Sequence, residues 1–216
     1  TYGTLTITKS SGAYQFTPNA SAINARTAND TETFTVTVRD GAETVPATLT
    51  VSITGANDAP TFAAAPTITY ADTAAVDTFP TTSGSLGGTD LDTGQTLTFG
   101  ITGGTGTGSI SKAGTYGTLT VNETTGTYSF APNGSAISAL TADTSEIFPI
   151  SLSDGTTTVT TLFTVAITAA NDAPTLAAVS AGYTDTAAED SFSTTTGTLV
   201  GSDVDAGQSV TYGLQG

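Results

Sequence analysis

The chain has 216 residues, with 4 Lys and Arg against 19 Asp and Glu, a formal net charge of −15, and no His, Cys, Met or Trp. So anionic a chain excludes a nucleic-acid partner, which needs a basic face, and disfavours binding to an anionic membrane surface. Without Cys or His there is no disulfide, no thiol nucleophile and no typical zinc site, and no apolar run is long enough to be inserted across a bilayer.

In chain order, Thr1-Tyr-Gly-Thr-Leu-Thr-Ile7 alternates as a strand and Thr8-Lys-Ser-Ser-Gly12 reads as a tight turn. A second turn follows at Asp40-Gly41, then a linker, Ala56-Asn-Asp-Ala-Pro-Thr61. Beyond it, Thr67–Tyr70, Gly84–Leu86 and Leu97-Thr-Phe-Gly-Ile101 read as short strands, and Gly104 to Gly114 as a Gly/Ser/Thr loop. Gly117–Val121 and Thr127–Phe130 flank a hairpin turn at Asn122-Glu-Thr-Thr-Gly126, and Ser135–Leu140 reads as one helical turn. Ile147–Leu152 and Thr158–Ile167 flank a turn at Asp154-Gly155, and the linker returns as Ala170-Asn-Asp-Ala-Pro-Thr175.

The recurrence is regular. Thr1 returns as Thr115 and Asn57 as Asn171, an offset of 114 residues in both cases. A period this long is one domain, and its repetition marks a tandem array. Seven short strands with turns between them in one period predict an all-β fold of tandem immunoglobulin/cadherin-like β-sandwich repeats. Residues 1–56 match 115–170, with about half the positions identical, and 171–216 match 57–103 with one residue fewer. On this reading 1–56 is the C-terminal half of a first repeat, 57–170 a complete repeat, and 171–216 the N-terminal half of a third. The phase suggests an excerpt from a longer protein; alternatively, the front half of one chain completes the back half of a neighbour by domain swapping.

Leu119, Phe130, Ile150, Val165 and their copies are expected in the core, with Tyr116 and Tyr128 at its edge. The Thr residues of Thr4-x-Thr6 and Thr35-x-Thr37 are expected to face solvent.

The carboxylates carry the functional reading. Successive loops of an up-and-down sandwich alternate between its two ends. One junction should therefore gather Asn57, Asp58, Asp90, Asp92 and Asp154, with Asn29 or Asp30 from the preceding repeat. The other should gather Asn171, Asp172, Asp203 and Asp205, with Asp72, Asp77 or Asp143. Carboxylates crowded without Lys or Arg repel one another and call for a divalent cation. Oxygen-only ligation suits Ca²⁺.

Taken together, Tyr70-x-Asp-Thr-Ala-Ala-x-Asp-x-Phe79, Gly84-x-Leu-x-Gly-x-Asp-x-Asp-x-Gly94, Tyr116-Gly-Thr-Leu-Thr, Gly126-x-Tyr-x-Phe-x-Pro-Asn133, Ser153-Asp-Gly155 and the Asn-Asp-Ala-Pro linkers resemble the VCBS repeat of giant bacterial surface adhesins and cadherin-like proteins. The resemblance covers essentially the whole chain. It implies sandwiches in a long extracellular protein at the bacterial cell surface, exported by type I secretion and acting in adhesion or biofilm formation. It also implies Ca²⁺ held between repeats by Asn57-Asp58, Asp90/Asp92 and Asp154, while the cadherins' Glu ligands from the preceding domain have no match. No glycine-rich nonapeptide repeats occur.

The expected role is a Ca²⁺-stiffened stalk or filament whose partners are neighbouring repeats of the same or an adjacent chain. A surface polysaccharide or protein would be met through parts outside this fragment. A repeat that itself grips a carbohydrate or protein is the alternative. An enzyme is not expected: the acidic residues lie in junction loops, with no His base or Cys nucleophile beside them. A Lys–Asn cross-link is not expected either, because Lys9 is matched by Glu123.

Overall fold

The computed structural model describes residues 1–75 and 77–215. Gly216, the last residue of the third predicted segment, lies outside the described residues. Among the described residues the chain is all-β apart from two five-residue helices. The elements are β1 (Gly3–Ile7), β2 (Tyr14–Pro18), α1 (Ala20–Asn24), β3 (Asp30–Arg39), β4 (Thr44–Ile53), β5 (Thr61–Phe62), β6 (Thr67–Ala71), β7 (Thr82–Ser85), β8 (Gly88–Thr89) and β9 (Thr98–Ile101). They continue with β10 (Ser109–Ala113), β11 (Gly117–Asn122), β12 (Thr127–Pro132), α2 (Gly134–Ser138), β13 (Thr144–Ser153), β14 (Thr158–Thr168), β15 (Thr175–Leu176) and β16 (Gly201–Ser202).

Two four-stranded sheets form between Thr67 and Thr168. One runs β10-β11-β12-β7 and the other β6-β14-β13-β9. All pairs are antiparallel except β6 with β14, where Thr67–Ala71 lies parallel to Thr164–Thr168. The sheets pack face to face because apolar residues alternate with Thr and Ser along each strand, which sends every second side chain inward. Leu119, Val121 and Phe130 of the first sheet meet Phe148, Ile150, Leu152, Phe163 and Val165 of the second, all essentially inaccessible. Rings lock the layers: Phe130 meets Phe148 edge-on at 6.0 Å and Tyr128 meets Phe163 at 4.9 Å between centroids. Each fully buried side chain of this kind contributes about 1.5–3 kcal/mol relative to exposure. The four residues expected at the centre, Leu119, Phe130, Ile150 and Val165, are all fully buried, and Tyr116 and Tyr128 pack at the core edge.

The hairpin β11–β12 turns on Gly126, at φ +66°, where a Cβ would also meet the Phe99 ring at 2.8 Å. Only glycine satisfies both the left-handed backbone and that close approach. The helix α2 begins at Asn133, whose side chain accepts from the Ala136 N–H, an ordinary N-cap.

Three details differ from the sequence reading. The segment read as the loop Gly104 to Gly114 contains β10, an edge strand held by antiparallel pairing of Ser109–Ala113 with Thr118–Asn122. Its only large apolar residue is Ile110, so its strand character comes from the neighbour and not from its own pattern. The strand expected at Gly84–Leu86 starts earlier, at Thr82, and ends at Ser85, yet Leu86 still turns into the core. A two-residue ribbon, β5 with β8, joins the start of this unit to the Asp90 loop.

Residues 1–53 form two hairpins, β1–β2 and β3–β4. Residues 175–202 contribute one short ribbon, β15–β16. Phe16 and Phe34 stack edge-on at 6.0 Å, as do their counterparts Phe130 and Phe148. The copies of the core residues here, Leu5, Phe16, Val36 and Val51, are only half-buried.

Candidate functional site

Both linkers are built the same way. The Asp58 backbone N–H donates to Asp92 Oδ2 at 2.7 Å, and the Asp172 N–H donates to Asp205 Oδ2 at 2.9 Å. Within each Asp-x-Asp, the second residue's N–H donates to the first carboxylate: Asp92 to Asp90 Oδ1 at 2.8 Å, and Asp205 to Asp203 Oδ1 at 2.9 Å. The amides of Asn57 and Asn171 donate to the carbonyls of Asp58 and Asp172. These bonds fix linker and loop against each other.

At the first junction Asn57 Nδ2 also reaches Asp154 Oδ2 at 2.9 Å. Asp154 Oδ1 accepts the N–H groups of Thr156 and Thr157, both at 2.6 Å. The N–H of Thr157 foremost, then Asn57, holds its carboxyl below the usual carboxylate range. Both Asp154 oxygens are thus engaged in shaping the β13–β14 turn and tying it to the linker. Asn29, from the preceding segment, accepts from the Gly55 N–H, while Asp30 is taken up by Tyr2 and Arg26.

The second junction shows the opposite half of the arrangement. Asp72, Asp172 and Asp205 are buried, and Asp77 and Asp203 are half-buried beside them. Burial first, then the charges of Asp205, Asp77 and Asp203, pushes the Asp172 carboxyl up. Burial, followed by the charges of Asp172 and Asp77, does the same to Asp72. These shifts register carboxylates close enough to repel. Asp77 accepts from the Thr73 N–H at 2.6 Å and Asp143 from the Ala169 N–H at 2.9 Å, so Asp143 braces the linker.

The test of fit to a cation lies in the atoms left over. Both oxygens of Asp72, Oδ2 of Asp90, Oδ1 of Asp92, Oδ1 of Asp205 and Oε1 of Gln95 are buried without a hydrogen-bond partner. An unpartnered buried polar atom costs about 1–3 kcal/mol, and more when charged. All six are hard oxygen donors. Among the described residues, no three acidic side chains already converge as a formed metal-binding group. Ligation would need these side chains to rotate inward.

Two participants escaped the sequence reading. Gln95 Nε2 donates to Asn57 Oδ1 and Gln208 Nε2 to Asn171 Oδ1, both at 2.7 Å. Their recurrence three places beyond the second Asp of each Asp-x-Asp was the available signal. The other is backbone: the Thr93 N–H donates to the Ala25 carbonyl at 3.2 Å and the Ala206 N–H to the Ala139 carbonyl at 3.0 Å. Each bond joins a loop after the linker to a helix end before it.

No family model and no curated protein matches the chain. Among solved structures it is similar to protocadherin gamma B7 extracellular cadherin domains 1–4, with 16% identity, a TM-score of 0.40, and coverage of 82% of this chain and 42% of that one. It is similar to Drosophila N-cadherin EC1-4, with 14% identity, a TM-score of 0.36, and coverage of 80% and 41%. It is also similar to an endo-fucoidan hydrolase of glycoside hydrolase family 107, with 20% identity, a TM-score of 0.32, and coverage of 79% and 23%. The chain spans less than half the length of each. No helix among the described residues is long and apolar enough to cross a membrane.

Proposed function

We propose that the chain is a stretch of an extracellular tandem-repeat stalk, of the kind carried by bacterial surface adhesins, stiffened by Ca²⁺ at its junctions. The three segments 1–56, 57–170 and 171–216 are then parts of consecutive repeats. The observation that carries this reading is the recurrence, at both linkers, of an Asp amide clamped to the second carboxylate of an Asp-x-Asp, whose other oxygen is buried without a partner.

Asp72, Asp77, Asp172, Asp203 and Asp205 would supply the oxygens at the second junction, and Asp58, Asp90, Asp92 and Gln95 those at the first. Asn57, Asn171, Asp143 and Asp154 position the linkers. Bound Ca²⁺ supplies the positive charge that offsets the repulsion among these groups. The chain's own contribution is to hold linker and loop in register, so that one ion can tie two repeats together. The reading is non-catalytic, since the acidic groups lie at junctions and Tyr116 and Tyr128, the residues a sugar site would use, are drawn into the core edge.

The test is a thermal melt in EDTA and in about 2 mM Ca²⁺, beside an Mg²⁺ control, for the native chain and for Asp90→Asn with Asp92→Asn. With extracellular Ca²⁺ modules binding at roughly 0.1–1 mM, one site at the tight end adds about 1.8 kcal/mol. A rise specific to Ca²⁺ and reduced in the double variant, which leaves the second junction intact, supports the proposal; equal melting in all buffers refutes it.

A further inference from the structure

We propose that Gln95 and Gln208 are positioning residues: each orients the linker Asn so that its side-chain amide, and not a metal ion, fastens the linker to the loops that follow it. This deepens the stalk reading by dividing each junction into a half that closes without metal and a half left for Ca²⁺. Only the second half rests on that reading.

The arrangement recurs at both linkers. Gln95 Nε2 donates to Asn57 Oδ1 and Gln208 Nε2 to Asn171 Oδ1, both at 2.7 Å. With the oxygen taken, the nitrogen of each Asn is the end that meets the main chain. Asn57 Nδ2 donates to the Asp58 carbonyl at 2.8 Å and Asn171 Nδ2 to the Asp172 carbonyl at 2.7 Å. Each Gln directly follows a glycine in the left-handed region, Gly94 at φ +82° and Gly207 at φ +80°. One short loop thereby reaches the linker twice. The second Asp of the Asp-x-Asp takes the backbone N–H of the linker Asp, and the Gln takes the side chain of the linker Asn.

The first linker shows what the orientation accomplishes. There Asn57 Nδ2 also meets Asp154 Oδ2 at 2.9 Å and Thr157 Oγ1 at 3.2 Å, both in the β13–β14 turn. A carboxamide donates from its nitrogen and accepts at its oxygen. Turned over, Asn57 would set its oxygen against the Asp58 carbonyl and the Asp154 carboxylate, and its nitrogen against Gln95 Nε2. Every one of those pairs lacks either a donor or an acceptor. Gln95 excludes the turned-over state by offering a donor where the Asn57 oxygen lies. The other Asp154 oxygen takes the N–H groups of Thr156 and Thr157. N–H groups therefore satisfy this carboxylate, and no ion is needed between Asn57 and Asp154.

What remains for a cation lies on the other side of the same glutamine. Asp90 Oδ2, Asp92 Oδ1 and Gln95 Oε1 are buried without a hydrogen-bond partner. Gln95 belongs to both halves, its nitrogen spent on the linker and its oxygen unspent.

Hydrogen exchange of the side-chain amides, followed by NMR on the ¹⁵N-labelled chain in chelator, tests this. Gln95→Met keeps the bulk of the side chain and removes its donor; Gln95→Glu keeps its shape and removes the same donor. Asn24, which is exposed, is the reference. In the native chain the Asn57 amide hydrogens are expected to exchange roughly tenfold or more slowly than those of Asn24. Either Gln95 variant should bring Asn57 to the Asn24 rate while the backbone resonances of Phe148 and Phe163 stay in place. Gln208→Met should shift the Asn171 side-chain resonance and leave that of Asn57 unmoved. An Asn57 amide that exchanges as fast as Asn24 in chelator and slows only when Ca²⁺ is added overturns the proposal, because the metal would then be what orients it. Slow exchange that persists in Gln95→Met overturns it as well. The chelator arm contains no Ca²⁺, so a chain that never binds the ion sinks the stalk reading while the role of Gln95 stands.

Discussion

The backbone N–H of Asp172 is held by one oxygen of Asp205 at 2.9 Å, while the other oxygen of that carboxylate is buried with no partner. The first oxygen orders the linker, and the second is left without a hydrogen bond. A residue divided in this way stabilises the junction only when something offsets its charge. In Asp205→Asn the carboxamide oxygen can still accept from Asp172, but the charge is lost. Calorimetric titration is expected to show Ca²⁺ affinity lowered at least tenfold at this junction, with the first junction unaffected.

Asp72 should reverse its effect with the buffer. Both of its oxygens are buried and unpartnered, and the charges of Asp172 and Asp77 add to its burial in raising its pKa. Asp72→Asn is expected to melt higher than the native chain in chelator and lower in saturating Ca²⁺. Differential scanning calorimetry in the two buffers checks this, and a loss in both would show that Asp72 is simply a packing residue.

The metal-free chain should have its stability maximum in mild acid. Asp72 and Asp172 have folded pKa values raised above their unfolded ones, so they bind protons more tightly when folded. Their contribution is fully present below the unfolded value of about 3.9 and is lost as pH rises through the raised folded values. Asp154 has the opposite sign: its contribution is present above about 3.9 and is lost as pH falls through its depressed folded value. Melts in chelator across about pH 3–7 should therefore rise and then fall on acidification, and Ca²⁺ should flatten the neutral side of the curve.

Paired substitutions separate the closed unit from the open one. Leu119 is fully buried, whereas Leu5, its counterpart, is half-buried. Leu119→Ala is expected to cost about 2–5 kcal/mol. Leu5→Ala should leave the melting of the central unit unchanged. Similarly, Gly126→Ala meets both a left-handed backbone and the Phe99 ring, while Gly155→Ala, at φ +93° with nothing within 4 Å, meets only the backbone. Urea denaturation should show the Gly126 variant losing more than the roughly 1–2 kcal/mol expected from backbone alone.

What the sequence made legible follows from where the pattern was local. β9, β11, β12, β13 and β14 announce themselves because apolar residues alternate with Thr and Ser when one face is buried, and Asn122–Gly126 marks the turn between two of them. β10 does not: Ser109–Ala113 is a strand through its pairing with β11, and a Gly-rich approach hides it. At the junctions, Asn57-Asp58 with Asp90/Asp92 and Asn171-Asp172 with Asp203/Asp205 could be grouped because they recur. Which oxygen each backbone N–H takes could not be read, since that depends on side-chain rotation and loop path. The roles of Gln95 and Gln208, and of the Ala25 and Ala139 carbonyls, belong to that same class. Asp154 lies beside Asn57, with its oxygens spent on Thr156, Thr157 and Asn57.

The central claim is that Ca²⁺ stiffens the array. Small-angle X-ray scattering on the native chain at low protein concentration compares EDTA with about 2 mM Ca²⁺, above the roughly 0.1–1 mM affinity of extracellular modules. The account predicts that Ca²⁺ increases the maximum dimension and narrows the pair-distance distribution toward a rod. Superimposable profiles in the two buffers would contradict it.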